Sequence, residues 1–151
     1  MYTECRSEQL TFQGFEGAPV VVDFNGGEIT SDAGAVLLSE VERISAIVGR
    51  LAGCCMDLRD QRRIDHPLET MLMQRVVGMC LGYEDINDHE QLRHVPLFGM
   101  ICRKAAVPRE TEEVRALAGK STLQRAETPG SARYHRIQIN EQRVAETFVE
   151  V

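Results

Sequence analysis

Apolar residues recur at intervals of three and four between positions 33 and 53 of the 151-residue chain. The members of this stripe are Leu37, Val41, Ile44, Val48 and Leu51. Such spacing places side chains on one face of an α-helix. The pattern therefore predicts one long amphipathic helix, which Ser31 or Asp32 caps and which ends near Gly53.

A second apolar stretch, residues 68–82 (LETMLMQRVVGMCLG), has almost no polar face. Pro67 is a favourable first helical residue, and Gly82 is typical of the position just after a helix. The segment predicts a central, buried helix. Gln74 and Arg75 are its polar exceptions, and each needs a partner if it points inward.

The N-terminal part of the chain has the pattern of a β-hairpin. A β-branched run at Val20–Val22 precedes the sequence NGG at residues 25–27. Because Asn and Gly tolerate the positive φ of a tight turn, a second strand is predicted at Glu28–Thr30.

The C-terminal half is predicted to hold short elements. Pro96 and Pro108 each begin a short helix, residues 133–139 (RYHRIQI) are extended, and Asn140 caps a last helix. That helix ends on apolar side chains, Val151 included, so a surface or a continuation of the chain that covers them is expected, and we favour an absent continuation.

These elements predict a mainly α chain with a small N-terminal β-hairpin, an α+β fold. The predicted organisation is a tail at 1–18, a hairpin at 19–31, a helical domain at 32–127, and a linker, short strand and terminal helix at 128–151.

The overall charge changes the choice of partners. A net charge of −6 disfavours a freestanding nucleic-acid binder, for which a basic excess is expected. The cationic residues, however, are almost all arginine, with only Lys104 and Lys120 as lysines. Arginine suits bidentate contact with phosphate.

No apolar run approaches the length of a membrane span, and the N-terminus lacks a secretory signal, so a cytoplasmic protein without a membrane partner is expected. Five cysteines form no C-x-x-C pair, which favours buried thiols.

The sequence LAGKST at residues 117–122 ends like a phosphate-binding loop. Such a loop needs an earlier glycine where Val114 stands, and it should follow a buried strand. Residues 108–117 are instead charged and helical in pattern. The stretch is therefore predicted to be a helical connector, in which Ser121 or Thr122 caps the next turn.

Residues 57–66 (DLRDQRRIDH) combine acids and His66 with three arginines. A metal site is disfavoured because Arg59, Arg62 and Arg63 would repel the cation, so a salt-bridge network is the main expectation. Phosphate binding by the three arginines is the alternative.

Residues 83–94 (YEDINDHEQLRH) fit neither a calcium loop nor an H-E-x-x-H zinc motif. Capping by Asn87 or Asp88 and local ion pairs are expected there. Asp23 follows a strand, as a nuclease aspartate would, but a role beside the turn is favoured. No cysteine–histidine pair stands out as a nucleophile.

The order of these segments resembles the N-terminal part of group 1 insertion-sequence DDE transposases, of the insertion-sequence thirteen-eighty type. The matching blocks are FNGGEITSDAGAVLLSEVE, DLRDQRRIDHPLETMLMQRVVGMCLGYEDINDHEQLRHVPLF, LAGKSTLQRAE and RYHRI. The resemblance runs from about Phe24 to the end, and its most specific part is QRV at 74–76 with LGYEDINDHEQLR at 81–93.

The resemblance implies a protein that binds the terminal inverted repeats of a mobile element and transfers DNA strands with Mg²⁺. It implies that this helical region would precede a ribonuclease-H-like catalytic domain, whose first aspartate lies in a strand after the helix matching AETFVEV. No such strand stands in this sequence, so no catalytic or metal residue, and no cofactor of its own, is carried over. Whether the chain is an enzyme stays open.

The resulting expectation is a catalytically inactive N-terminal fragment of a transposase. Its expected DNA contacts are Arg59, Arg62, Arg63 and Lys120. The alternative is a regulatory or oligomerisation module that acts on full-length transposase or on a second copy. A metal nuclease using Asp23 is the third and weakest hypothesis.

Overall fold

The computed structural model describes residues 10–12, 20–22, 32–102, 116–127 and 136–149. The helices of this part are α1 (Ala35–Ser45), α2 (Ile47–Gly53), α3 (Leu68–Cys80), α4 (His89–Leu92), α5 (Pro96–Ile101), α6 (Lys120–Glu127) and α7 (Glu141–Phe148). The strands are β1 (Leu10–Phe12), β2 (Val20–Val22), β3 (Cys55–Asp57) and β4 (Ile137–Ile139). The predicted mainly α fold with a small antiparallel sheet is confirmed.

The N-terminal sheet consists of β1 and β2, which pair antiparallel with Thr11 opposite Val21. The predicted strand at Val20–Val22 is therefore present. Its predicted partner Glu28–Thr30, the turn at 25–27 and Asp23 lie outside the described residues.

The long helix predicted for residues 33–53 is wrong, because Ala46 interrupts it in the left-handed conformation with φ of 50°. Glu42, on α1, caps the second half. Its buried carboxylate accepts hydrogen bonds from Val48 N at 2.8 Å and from Gly49 N at 3.1 Å. These two N–H groups would otherwise lack partners at the start of α2, so the break is stabilised from within the chain.

Most of the predicted apolar stripe that lies on α1 is exposed. Leu37, Val41 and Ile44 are 58%, 51% and 73% exposed. Helix α1 instead buries Ala35 and Val36 at its first turn, near α5. The described residues thus leave one apolar face of α1 uncovered.

Helix α3 is the central element, as predicted. Its buried residues are Met71, Met73, Gln74, Val77 and Gly78. Met73 and Val77 join a core that also contains Val48, Leu92, Phe98, Ile101 and Leu117. Met71 packs in a second cluster, with Ala118 and Leu123. Gly82 follows the helix with φ of +92°, a conformation that favours glycine, and so confirms the predicted helix end.

The second sheet joins distant parts of the chain. Strand β4, predicted as extended, pairs antiparallel with β3, so that Met56 faces Gln138. Asn140 then caps α7 by accepting a hydrogen bond from Arg143 N at 3.0 Å, as predicted. Helix α7 lies against α2, where the Arg50 guanidinium sits 5.0 Å from the centre of the Phe148 ring.

The prediction of buried thiols holds for Cys54 and Cys102 but is wrong for Cys80, which is exposed at the end of α3. Burial raises the pKa of the Cys102 thiol to about 12. None of the described helices has the length and apolar character needed to span a membrane.

Candidate nucleic-acid interface

A buried polar cluster joins α3 to the segment that begins at residue 116. The Gln74 side chain donates from Nε2 to Ala118 O at 2.9 Å and accepts from Ala118 N at 3.1 Å. This pair of hydrogen bonds fixes the orientation of the amide, because a rotated amide would place like groups together at both positions. The partner that Gln74 requires is therefore main chain from a distant segment.

His89 is the centre of the same cluster and is fully buried. Gln74 Nε2 lies 3.1 Å from its Nδ1, and Arg75 Nη1 lies 3.1 Å from its Nε2. Both neighbours present N–H groups, so neither can accept a hydrogen bond from the N–H groups of an imidazolium. Burial, and next the positive charge of Arg75, lower the pKa of His89, while Glu127 and Asp88 act in the opposite direction.

The imidazole packs directly on α3. A β-carbon placed on Gly78 would lie 2.9 Å from His89 Cε1, so only glycine leaves room for the ring. Arg75, the second polar exception in α3, pairs with Glu127 of α6 and donates to Glu84 O. His89 and its neighbours thus connect three segments and have the character of a structural cluster.

The LAGKST segment docks on this cluster. Leu117 N donates to Arg93 O at 3.0 Å, and Lys120 N donates to Glu90 Oε1 at 2.7 Å. The prediction of a helical connector is confirmed, since Lys120 begins α6. The predicted cap is wrong, because the carboxylate that caps this helix is that of Glu90, while Ser121 lies within the first turn.

The predicted cap of the helix after the preceding loop is present in position only. Asp88 holds the N-cap position of α4 but makes no capping hydrogen bond with its side chain. Asp85 caps the short 3-10 turn Ile86–Asp88, by accepting from Asn87 N at 2.9 Å. The hydrogen bonds from the Asn87 main chain and side chain lower the pKa of Asp85.

A groove of about 640 Å³ lies on the outward side of α6. Four arginines from three segments line it: Arg59 and Arg63 after β3, Arg125 on α6 and Arg136 before β4. Asp60 also contributes to the lining, 3.6 Å from Arg63. The groove therefore combines cationic side chains that are distant in sequence.

The arginines of the groove differ in freedom. The Arg63 side chain is 87% exposed, and Arg125 and Arg136 are exposed as well. Arg59 is only 19% exposed, because it forms a two-pronged ion pair with Asp57 and donates to His66 O at 3.2 Å. Hydrogen bonding to Arg59 lowers the pKa of Asp57. Arg59 is thus held in place and Arg125 is restrained through its Nε, which donates to Ser121 O at 2.8 Å, whereas Arg63 and Arg136 are exposed.

The residues expected to contact DNA are only partly brought together. Arg59 and Arg63 line the groove; Arg62 is exposed in the same loop but is not part of the lining. Lys120 is not part of it either, since its Nζ lies 3.4 Å from Asn87 Oδ1. Two further arginines of the groove were not among the predicted DNA contacts. These are Arg125, in the sequence LQRAE, and Arg136, in the sequence RYHRI.

Within the described ranges no group of three or more His, Cys, Asp or Glu residues could hold a metal ion. Asp57 and Asp60 pair with Arg59 and Arg63.

The sequence model of the family described as Transposase DDE domain group 1 matches residues 12–151. The chain belongs to this transposase family. Comparison with curated proteins and with solved structures found no match. The resemblance implies Mg²⁺ for the intact relative. The described residues of this transposase chain contain no group of three or more His, Cys, Asp or Glu that could hold a metal ion.

Proposed function

We propose that this chain serves DNA transposition by holding the DNA of element ends on the arginine groove. It acts as the N-terminal part of a transposase of the insertion-sequence thirteen-eighty type, and the terminal inverted repeats are its DNA partner. The observation that supports this proposal is the convergence of Arg59, Arg63, Arg125 and Arg136 on one groove.

The groove suits phosphate for two physical reasons. Guanidinium groups offer several N–H donors in a plane, which match phosphate oxygens geometrically. The pairing of Arg59 with Asp57 positions the loop, so Arg63 is presented from a defined backbone. Because the whole chain carries a net charge of −6, attraction to DNA must come from this local patch, and added salt weakens it steeply.

The test is DNA binding by a double variant, Arg63→Ala with Arg125→Ala. With a duplex that carries the inverted repeat, we expect the affinity to fall at least about tenfold and the salt dependence to lose about two phosphate contacts. Arg43→Ala is the matched control, because Arg43 is exposed on α1, pairs with Glu40 and does not line the groove. Equal affinity of wild type and double variant would refute the role of the groove.

We also propose that this chain cleaves and transfers no DNA strand by itself. The support is that the described residues contain no group of three or more His, Cys, Asp or Glu that could hold a metal ion. Purified protein that binds the duplex should leave supercoiled plasmid intact in the presence of Mg²⁺. Nicking that depends on Asp23 would contradict this proposal and revive the nuclease hypothesis.

A second candidate function is oligomerisation with another copy or with full-length transposase. The uncovered face of α1, formed by Leu37, Val41 and Ile44, favours it. Sedimentation should then detect a dimer that Ile44→Glu dissociates. The exposed Met79 on α3 offers a matched control, Met79→Glu, which should stay dimeric. A monomeric wild-type protein would exclude self-association.

A further inference from the structure

The arginine groove has a floor as well as a cationic rim. Four apolar side chains line it between the arginines: Ile64, Met71, Ala126 and Ile137. Met71 belongs to α3 and is almost completely buried, whereas the other three are partly exposed. An apolar floor contributes nothing to contact with phosphates, because a flat cationic surface would bind them equally well.

Paired DNA cannot use this floor. In a duplex the faces of the bases are stacked on one another, and the accessible surface consists of sugar, phosphate and the edges of the bases. An unpaired nucleotide, by contrast, presents an apolar base face and an anionic phosphate together. The floor and the rim of the groove match these two parts of one ligand.

We propose that the groove binds an unpaired nucleotide of a single-stranded DNA segment. The base lies against Ile64 and Ala126 on the floor, and the flanking phosphates bind Arg63, Arg125 and Arg136. This inference rests on the proposed function, because it specifies which form of DNA the arginine groove prefers. A duplex binds through the rim alone and therefore more weakly.

The dimensions and the rim fit this ligand. The volume of about 640 Å³ lies within the range of roughly 300–1,000 Å³ that is usual for pockets enclosing small molecules. Arg125 donates from Nε to Ser121 O at 2.8 Å, which restrains its guanidinium and leaves the terminal amino groups for phosphate. A restrained guanidinium plane also provides a surface on which a base stacks.

The experiment compares a blunt duplex with the same duplex extended by a short thymidine overhang. We expect the overhang to raise the affinity of the wild-type protein about tenfold, the effect of one well-placed base. Ile64→Ser should remove most of this gain, so that the two DNAs bind with nearly equal affinity. Arg63→Ala should weaken the binding of both DNAs.

The outcomes separate the two proposals. Equal, arginine-dependent binding of both DNAs would overturn the preference for unpaired nucleotides and leave the DNA-binding function standing. Failure of both DNAs to bind at low salt would overturn both. Unchanged discrimination in a folded Ile64→Ser variant would also count against the floor.

A second measurement on wild-type protein avoids any risk from misfolded variants. Iodouracil in the overhang, activated by light, should form adducts with peptides that contain Ile64, Met71 or residues 122–126. Adducts confined to peptides away from the groove, such as the one that contains Arg43, would overturn the assignment.

Discussion

The inward and outward sides of the segment around α6 use polar groups in opposite ways. Inward, Ala118 and His89 meet Gln74 in a buried set of hydrogen bonds. Outward, Arg63 and Arg125 stand at the groove with most of their donors toward solvent. Burial forces polar groups to pair with each other, because an unpaired buried group is costly. Exposed charged groups are solvated by water and need no partner in the protein, so they are available to a ligand.

The largest expected effect is on the inward side. Gln74→Leu should lower the free energy of unfolding by about 3 kcal/mol, because the Ala118 N–H and C=O then stay buried without partners. Chemical denaturation measures the change. Gln124→Leu, at an exposed position of the same segment, is the control and should change stability by less than about 0.5 kcal/mol. Similar stability of the two variants would contradict the importance of the cluster.

A smaller loss is expected at the contact between His89 and α3. Gly78→Ala should cost about 1–3 kcal/mol, because the added β-carbon would lie 2.9 Å from His89 Cε1. Gly53→Ala is the matched control, since nothing lies within 4 Å of a β-carbon there. Thermal unfolding should separate the two alanine variants. A Gly78→Ala protein as stable as Gly53→Ala would mean that the ring moves aside without cost.

The pH dependence of stability should report on the same histidine. The pKa of His89 is lowered in the folded protein, from an ordinary value of 6.5. Below pH 6.5 the unfolded chain therefore binds more protons than the folded one, and stability falls by up to about 1.4 kcal/mol per pH unit until the folded pKa is reached.

Denaturation curves between neutral and mildly acidic pH measure this slope. His89→Gln should flatten it, whereas His94→Gln, at an exposed position, should retain it. The charges that face His89 are those of Arg75, Glu127 and Asp88. An unchanged slope in His89→Gln would assign the dependence to other groups.

The smallest effect on stability is expected on the outward side. Arg63→Ala should alter the free energy of unfolding by less than about 0.5 kcal/mol, because its pairing with Asp60 is solvent-exposed. The same substitution should weaken DNA binding measurably. A large loss of stability in Arg63→Ala would remove the contrast between the two sides.

The sequence predicted best where one segment determines its own environment. Helix α3 is apolar on nearly all sides and is therefore buried wherever it packs, and Gln74 and Arg75 were expected to need partners. The identity of those partners was not predictable, because Ala118 and Glu127 come from a segment far along the chain. The sequence around α3 contains no signal for which distant segment packs against it.

The prediction for α1 failed because a covered and an uncovered apolar helix face have the same sequence pattern. The stripe on α1 indicated a helix correctly, but periodicity does not say whether a partner covers the apolar face. The break at Ala46 has no Gly or Pro signal, and the buried carboxylate of Glu42 stabilises it. The groove was not predicted for the same reason as the buried cluster. Arg136 joins Arg63 only when β4 pairs with β3, and Arg125 is brought there by α6, whose start docks on Glu90.

The link between Gln74 and Ala118 is unequal at its two ends. One end is a side chain, and the other is peptide backbone, which every amino acid except proline supplies in full. A substitution of Ala118 can introduce a larger side chain beside this link, but only proline removes the main-chain N–H that donates to Gln74. The heritable information for this one link therefore resides in the codon for Gln74 rather than in the codon for Ala118.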